Sequence, residues 1–300
     1  GSGGFATVYK VKEKGSGNYF AAKVVTKSYE NQSSPEFEAI LNEIKIMSRL
    51  NHPSILQFYG ISKIDFDQCK NLTIFTEYLP NKSLDYIINE EMHSNAHKDW
   101  NDTKKLINIY GIASALSYLH TNGVIHRDLK PANILMDEYL FPKVADFGLS
   151  KIKKNDDNTK KETVGTPAYI APESWKDSIY NFPCDVYSFA MIVYSIMNGR
   201  KPFEKLGLGV IIKKVLNGVR PEIDSTVPKA YKELIEKCWS TNPSDRPTFN
   251  EILKKLETDE GFCTNTVDKN EFYNYIDYIN IAKSIYFETT HSITIEEYMA

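Results

Sequence analysis

The spacing of apolar residues changes along this chain, and the change restricts the fold more than any other feature. Up to about residue 79, runs such as YFAAKVV at residues 19–25 combine apolar residues with flanking turn residues, which predicts β-strands. From Ser83 onward, most apolar residues recur at helical spacing. Strands first and helices later predict an α+β fold, with a small β-rich lobe followed by a large, mainly helical lobe.

The same periodicity predicts the individual elements. Strands are predicted within residues 1–11, 19–25, 55–62, 71–79, 133–136 and 142–148. Helices are predicted at residues 36–50, 83–91 and 102–120, and around 185–198, 206–217, 228–239 and 248–257. Pro35 and Glu36 suit the first turn of the first helix, and Asp102 is the predicted N-cap of the third.

The composition is that of a globular protein and gives no reason to expect nucleic acid or membrane as a partner. The 300 residues are 42% hydrophobic and 25% charged, with a net charge of −3. No apolar run approaches the roughly 18 residues that a membrane-spanning helix needs. The four cysteines lie far apart without a CxxC pair, which favours reduced thiols and a cytoplasmic location. The chain begins with Gly1 and shows no signal peptide, so we expect a piece of a longer protein.

The segment HRDLKPAN at residues 126–133 gathers charged and amide side chains directly after an apolar run. One interpretation is a polar turn that follows a helix. The other is a catalytic loop, in which Asp128 receives a hydroxyl proton and Asn133, five residues later, holds a metal ion. Because the segment alone does not decide between them, the remaining requirements of phosphoryl transfer have to be found elsewhere in the chain.

Transfer of a phosphoryl group from ATP requires groups that position the phosphates and neutralise their charge. Gly1, Gly3 and Gly4 open a strand turn, where missing side chains let backbone N–H groups approach phosphate oxygens. Lys23 lies among apolar residues in a predicted strand, so its charge needs a partner. Glu43, on the inward stripe of the next helix, is the predicted partner.

A metal site is predicted from the segment VADFG. Asp146 ends a predicted strand thirteen residues after Asn133, across a hairpin-length segment. The oxygen atoms of these two side chains are therefore expected to converge. Hard oxygen ligands of this kind suit Mg²⁺ that bridges the phosphates of ATP.

In this order and spacing, the motifs resemble those of the eukaryotic protein kinase domain. The matching motifs are the glycine-rich loop, AAK, the helix glutamate, HRDLKPAN, DFG, GTPAYIAPE, DVYSFAMIVY and NPSDRPTF. The resemblance runs from Gly1 to about Leu256 and implies a two-lobed protein-kinase-like fold. It implies a kinase domain over residues 1–257, with a small lobe over 1–79 that is truncated before the first strand and a large lobe over 80–257. Residues 258–300 are then a C-terminal helical extension or tail.

The resemblance also implies a site for ATP and Mg²⁺. The residues that it implies in nucleotide binding are Gly1, Ser2, Gly3, Gly4, Val8, Ala21, Lys23, Glu43, Thr76, Glu77, Leu79 and Leu135. Lys23, paired with Glu43, contacts the α- and β-phosphates and is counted among the catalytic residues. Asp128 is the catalytic base or orients the hydroxyl, and Lys130 steadies the transferring phosphate. Asn133 and Asp146 hold magnesium.

Further residues receive structural roles from the same resemblance. An apolar spine that joins the lobes is implied for Met47, Phe58, His126 and Phe147. Glu173 is expected to pair with Arg246, and Asp185 to anchor the catalytic loop from below. The third glycine of the phosphate loop is Ala6 in this chain, and this departure puts the closeness of loop closure in doubt.

The motifs resemble two kinds of protein kinase at once. Lys130 and Thr166 resemble serine/threonine kinases, whereas CWSTNPSDRPTF resembles tyrosine kinases. This mixture is typical of the tyrosine-kinase-like group, whose members mostly phosphorylate Ser and Thr of protein substrates in signal transduction. Within the polar loop before GTPAYIAPE, Thr163 is the predicted activating phosphorylation site and Thr159 the second choice, because Arg127 needs an anion.

Two other classes of protein compete with this interpretation. A pseudokinase that acts as a nucleotide-binding scaffold usually lacks the lysine or an aspartate that this chain keeps at Lys23, Asp128 and Asp146. A small-molecule kinase is disfavoured by GTPAYIAPE, a peptide-docking segment in the resembled family. In the tail, Phe272 and Ile276 recur at helical spacing, which predicts a helix that packs on the large lobe or belongs to a following region. A partner-docking helix is the alternative.

Overall fold

The computed structural model describes residues 6–25, 35–67, 69, 71–152 and 166–289. Within them, a small antiparallel sheet with one helix precedes a larger, mainly helical region, as the change in periodicity predicts. The predicted two-lobed α+β fold is therefore confirmed.

The small lobe is a four-stranded antiparallel sheet with one helix. Its elements are β1 (Ala6–Lys12), β2 (Tyr19–Val25), α1 (Pro35–Met47), β3 (Phe58–Ser62) and β4 (Thr73–Glu77). The strands lie in the order β1-β2-β4-β3. Alternation along β2 puts Ala21 and Lys23 on one face, while Ala22 and Val24 are buried on the other. Thr76 pairs with Ala21 in the register.

The large lobe begins with helices and continues through two short hairpin-like sheets. It opens with α2 (Leu84–Met92) and α3 (Asp102–Thr121). The short strands are β5 (Val124–Ile125), β6 (Ile134–Met136), β7 (Pro142–Val144) and β8 (Lys151–Ile152), with β5 paired to β8 and β6 to β7. The later helices are α4 (Pro172–Asp177), α5 (Phe182–Asn198), α6 (Leu208–Leu216), α7 (Lys229–Cys238), α8 (Phe249–Thr258) and α9 (Lys269–Thr289).

Helices α3 and α5 form the centre of the large lobe. Every residue of α5 from Cys184 to Ile196 is buried, and so is nearly all of α3 from Leu106 to Leu116. A helix with buried residues on every face must run through a core rather than along a surface. Their packing fixes the two ends from which the candidate site is built, namely the end of α3 before β5 and the start of α5.

Some predicted boundaries are wrong in detail, and two short strands were missed. The N-cap of α3 is Asn101, whose side chain accepts a hydrogen bond from the backbone N–H of Lys104, whereas Asp102 is the first helical residue. The strand predicted within 142–148 ends at Val144, because Asp146 adopts a left-handed backbone conformation with φ of 65° that a strand does not allow. Strands β5 and β8 were not predicted, since two residues are too few for a periodic signal.

The tail contains the long helix that its spacing predicts. Helix α9 packs on α3 of the large lobe, with Phe272, Tyr275 and Ile279 buried. Among the helices in the described part of the chain, none has the length and apolar character of a membrane span.

Candidate active site

An ion pair joins the sheet and the helix of the small lobe. The Lys23 Nζ lies 2.7 Å and 3.0 Å from the two carboxylate oxygens of Glu43. The Glu43 side chain is 9% exposed and that of Lys23 is 32% exposed. Burial raises the pKa of the Glu43 carboxyl above its ordinary value, although the Lys23 ammonium opposes the shift. The sequence-predicted partnership is therefore present, and its acid is the more buried member.

The loop between β5 and β6 is held from below by a carboxylate on α5. Asp185 accepts hydrogen bonds from the backbone N–H groups of His126 at 2.9 Å and Arg127 at 3.0 Å. Its Oδ2 also lies 2.9 Å from His120 Nε2, at the end of α3. Arg127 has a φ of 72°, a left-handed conformation that is unfavourable for a residue with a side chain. The clamp from Asp185 holds this turn of the loop in place.

Asp185 is buried, yet its pKa is depressed. Burial alone would raise the pKa of this carboxyl. The hydrogen bond and charge of His120, the charge of His126 and the N–H of Arg127 together outweigh burial and hold the pKa below its ordinary value. The anchor is therefore a stable carboxylate, as its role at the base of the loop requires.

Asp128, Lys130 and Asn133 meet on this loop. The carboxylate Oδ2 of Asp128 lies 2.6 Å from Lys130 Nζ and accepts a hydrogen bond from Asn133 Nδ2 at 3.0 Å. Asn133 also donates to the backbone carbonyl of Asp128 at 2.8 Å. Pro131–Asn133 form a single 3-10 turn, which brings residues five apart in sequence face to face. The three side chains form one hydrogen-bonded cluster around the Asp128 carboxylate.

Asp146 follows β7 and is tied to this cluster through the backbone. The Ala145 N–H donates to the Asn133 carbonyl at 2.9 Å, which sets the residue before Asp146 against the end of the segment 126–133. Asp146 is exposed, with a φ of 65°, and its charge contributes to the raised pKa of Glu43. The carboxylate of Asp146 is thus close enough to the small-lobe ion pair to act on it electrostatically.

Ring and side-chain contacts hold the segment that carries Asp146. His126 and Phe147 are fully buried, with ring centroids 5.3 Å apart, and His126 Nε2 lies 3.1 Å from the Ala145 carbonyl. Asn42 on α1 donates to the carbonyl of Ser150 at 2.8 Å. Sequence reasoning missed Asn42, since an amide one residue before Glu43 carries no signal of a contact more than a hundred residues away.

The segment at the end of β4 joins the lobes. Thr76 is 9% exposed on β4, and Glu77 follows it. Glu77 Oε1 accepts from the backbone N–H of Gln57 at 2.8 Å, and Oε2 lies 3.2 Å from Lys143. The Glu77 side chain therefore holds β3 and β7 to the connection. Sequence reasoning missed this structural use of the glutamate.

The remaining predicted site residues divide into described and undescribed groups. Those in the described chain are Val8 on β1, Ala21 on β2, Leu79 after β4 and Leu135 on β6, where Leu135 pairs with Lys143. Gly1, Ser2, Gly3 and Gly4 lie outside the described residues, as do Thr159 and Thr163. The structure thus brings Asp128, Lys130 and Asn133 together with the strand that precedes Asp146, and brings Lys23 to Glu43.

A second ion pair supports the large lobe. The Arg246 guanidinium contacts both oxygens of Glu173, at 2.6 Å and 2.9 Å, and its side chain is fully buried. Arg246 also donates to the carbonyls of Ser240 and Pro183. A guanidinium with several acceptors is a satisfied buried charge. The pairing predicted for these two residues is present, and it ties the start of α4 to the segment before α8.

The comparison with protein families agrees with this geometry. The family described as the protein kinase domain matches residues 1–256. The match covers most of the chain and includes each of the polar clusters described above. The chain belongs to the protein kinase domain family.

Individual relatives match at about one third identity. Dual specificity protein kinase pyk3 of Dictyostelium discoideum is 36% identical over 259 residues, which are 86% of this chain and 18% of that protein. Serine/threonine-protein kinase CTR1 of Arabidopsis thaliana is 33% identical over 259 residues, or 85% of this chain and 30% of that protein. Dual specificity protein kinase shkB of Dictyostelium discoideum is 34% identical over 266 residues, or 86% and 39%. The chain spans less than two fifths of the length of each of these relatives.

Proposed function

We propose that this chain transfers the γ-phosphate of ATP to Ser and Thr hydroxyls of protein substrates, as a member of the tyrosine-kinase-like group. The observation that carries the proposal is the hydrogen-bonded cluster of Asp128, Lys130 and Asn133 on a loop clamped by Asp185. A charged cluster on a strained, anchored loop is a costly arrangement that a purely structural turn does not need. The names of the relatives, which include serine/threonine and dual specificity kinases, support the same reaction class.

In this proposal the nucleotide binds between the sheet of the small lobe and the loop of the large lobe. Gly1, Ser2, Gly3 and Gly4 cover the phosphates, and Lys23 contacts the α- and β-phosphates. The remaining nucleotide-contacting residues are Val8, Ala21, Glu43, Thr76, Glu77, Leu79 and Leu135. The formed Lys23–Glu43 ion pair supports this assignment, because it holds the Nζ in one position before the phosphates arrive.

Asp128 acts on the acceptor hydroxyl. Its described hydrogen bonds both reach Oδ2, which leaves Oδ1 to accept the hydrogen bond of the acceptor. As the acceptor oxygen attacks the γ-phosphorus and the bond to the leaving ADP breaks, its proton passes to Asp128. Lys130, beside the same carboxylate, holds the transferring phosphoryl group. The 2.6 Å contact also keeps the Asp128 carboxylate oriented before the substrate binds.

Asn133 and Asp146 would hold Mg²⁺ at this site. The amide nitrogen of Asn133 donates hydrogen bonds to the backbone carbonyl and to Oδ2 of Asp128, so its amide oxygen is the atom that remains for a metal. The exposed Asp146 carboxylate supplies a second hard ligand. A pair of oxygen donors completed by phosphate and water oxygens is the donor set that Mg²⁺ prefers. When bound, Mg²⁺ neutralises the negative charge that the phosphates carry.

The proposed substrates follow from the same reaction class. Ser/Thr-containing proteins are the proposed substrates in a signalling pathway, with neither nucleic acid nor membrane as a partner. The four free cysteines support a cytoplasmic location. Residues 1–257 are the proposed kinase domain, with the small lobe over 1–79, the large lobe over 80–257 and a helical extension over 258–300.

Phosphoamino-acid analysis tests the reaction and the acceptor together. The protein is incubated with γ-labelled ATP, Mg²⁺ and dephosphorylated casein, and the labelled casein is hydrolysed. We expect label on phosphoserine and phosphothreonine, and none when the divalent metal is chelated. Label mainly on phosphotyrosine would contradict the acceptor assignment, and an absence of transfer to any residue would contradict the proposed activity. Label on all three residues would show dual specificity, which two relatives carry in their names.

A further inference from the structure

Helix α9 is docked on α3 along its first three turns. The backbone N–H of Asp268, directly before α9, donates a hydrogen bond to Thr103 Oγ1 at 2.8 Å, and Lys104 forms a 2.6 Å ion pair with Glu271. Phe272 is fully buried and meets the Tyr110 ring edge-on, with centroids 5.7 Å apart. Polar and apolar contacts thus fix both the register and the face of the tail helix. The match to the protein kinase domain ends at residue 256, before this helix begins.

One residue of α9 reaches past α3 into the core. Tyr275 is 2% exposed, and its hydroxyl lies 3.0 Å from the hydroxyl of the fully buried Ser54. Its ring centroid is 4.6 Å from that of Phe141, directly before β7. Gly111 on α3 makes room for this side chain, since a Cβ there would overlap the Tyr275 hydroxyl and come within 2.6 Å of Pro142 Cγ. A glycine inside a buried helix, which lowers helix stability, is thereby explained.

The two segments that Tyr275 contacts lead to the two halves of the candidate site. Ser54 belongs to the loop that links α1, the helix of Glu43, to β3. The carbonyl of Ser54 accepts from the N–H of Val144 at 2.8 Å, and the N–H of Leu56 donates to the carbonyl of Val144 at 2.9 Å. Val144 ends β7, two residues before Asp146. The hydroxyl pair therefore sits where the loop after α1 and the strand before Asp146 are joined.

We propose that Tyr275 is a positioning residue: through Ser54, the tail helix sets the junction between the α1–β3 loop and β7, and so places Glu43 and Asp146 for phosphoryl transfer. The inference rests on the proposed function and adds to it a part of the chain outside the kinase-domain match. Both hydroxyls are buried, so neither exchanges its partner for water without opening this junction. A link of this kind acts through the residues that it places and contacts no substrate itself.

A double-mutant cycle separates positioning from mere stability. The variants are Tyr275→Phe, Ser54→Ala and the double variant, with Tyr273→Phe as the control, because Tyr273 is a tyrosine of the same helix that is 44% exposed. Each single variant leaves one buried hydroxyl without its hydrogen-bond partner. The double variant leaves none, so it should regain much of the lost stability. We expect kcat to fall by about 10-fold in each single variant and to stay low in the double variant, since a small misplacement of reacting groups is enough for such a loss.

The kinetic pattern decides the role. A positioning residue lowers kcat by a larger factor than it raises the KM for ATP, both measured well below the melting temperature of each variant. Tyr273→Phe should keep the wild-type kcat. A kcat that returns to the wild-type value in the double variant together with stability would overturn the inference, as would wild-type kcat in Tyr275→Phe.

Hydrogen exchange tests the same junction without any activity. We expect Tyr275→Phe to increase amide exchange in residues 48–57 and 142–147 relative to wild type and to Tyr273→Phe. Equal exchange in all three proteins would refute the inference even if the wild type transfers phosphate. If the wild type transfers no phosphate, the proposed function fails, and the exchange measurement still decides whether Tyr275 holds this junction.

Discussion

Two buried carboxylates hold the two sides of the candidate site, and their pKa values move in opposite directions. Against the effect of burial, the hydrogen bond and charge of His120, the charge of His126 and the N–H of Arg127 hold the pKa of Asp185 in the large lobe below its ordinary value. Glu43 in the small lobe has a raised pKa, because burial outweighs the attraction of its partner Lys23. The effect of burial on the ionised carboxylate is thus fully offset at Asp185 and only partly offset at Glu43.

The difference lies in the kind of partner each carboxylate has. The two backbone donors of Asp185 belong to the loop that it holds, and they cannot leave it without a change of chain conformation. Glu43 depends on one flexible side chain from another element, and that side chain is one-third exposed. The large lobe therefore holds its loop by a permanent anchor, whereas the small lobe provides an ion pair that is more easily broken, and this asymmetry can be tested.

The largest effect is expected for the loss of Asp185, the carboxylate that anchors the loop. Asp185→Ala leaves the N–H groups of His126 and Arg127 without a hydrogen-bond acceptor. Each buried donor left without a partner costs roughly 1–3 kcal/mol of unfolding free energy. The loop that carries Asp128 loses its clamp at the same time, so phosphoryl transfer should fall to near background. Urea denaturation and a kinase assay measure the two losses. Asp177→Ala, an exposed aspartate at the end of α4, is the control. Wild-type stability in Asp185→Ala would contradict the account.

A smaller and more selective effect is expected at the ion pair. Lys23→Met should lower kcat on the order of 10²–10³-fold, as the loss of one preorganised charged contact to the transition state does. The melting temperature should change little, because the pair is partly exposed and Glu43 can take up a proton once Lys23 is gone.

The matched control for this variant is Lys45→Met, which removes an exposed lysine from α1. Turnover and thermal melting are measured on both proteins. Unchanged turnover in Lys23→Met would refute the role of Lys23. A large loss of melting temperature would show instead that the pair is a structural support like Asp185, and the asymmetry would be gone.

The smallest effect is a difference in the pH dependence of stability. Because the folded pKa of Glu43 is raised, its contribution is fully present below the ordinary value of 4.5 and is lost as the pH rises through the folded pKa. Because the folded pKa of Asp185 is lowered, its contribution is present above the ordinary value of 3.8 and is lost as the pH falls through the folded pKa.

Two variants isolate the pH dependence that each carboxylate contributes to stability. The unfolding free energy of wild type minus that of Glu43→Gln should decrease as the pH rises above 4.5. The same difference for Asp185→Asn should decrease as the pH falls below 3.8. Urea denaturation across this range supplies both curves, and slopes of the same sign would show that the two carboxylates do not differ in the way described.

Sequence reasoning reached the parts of the site that depend on residue type and order. The α+β order of the lobes, the Lys23–Glu43 pair and the anchor at Asp185 could all be predicted, because a buried charge in an apolar run demands a partner and the motifs resemble a known family. The left-handed conformations of Arg127 and Asp146 could not, since tertiary packing imposes them on residues that do not favour them.

Contacts far apart in the sequence were the other part out of reach. Ser54 and Tyr275 are 221 residues apart, and neither lies in a pattern that names the other. Gly111 was the available signal, because a glycine inside an apolar helix indicates close approach of another group. The N-cap of α3 was misplaced by one residue for a local reason, as Asn101 and Asp102 are both good capping residues.

The role of Asp128 is tested by single-turnover phosphoryl transfer with Asp128→Asn. The substitution keeps the size of the side chain and removes its negative charge and its ability to accept the hydroxyl proton. Nucleotide affinity is measured first in both proteins with a fluorescent ATP analogue, so that transfer is compared at equal occupancy. The account predicts unchanged nucleotide binding and a loss of transfer on the order of 10²–10⁴-fold, the contribution of a general base. Transfer at the wild-type rate with equal nucleotide occupancy would contradict it.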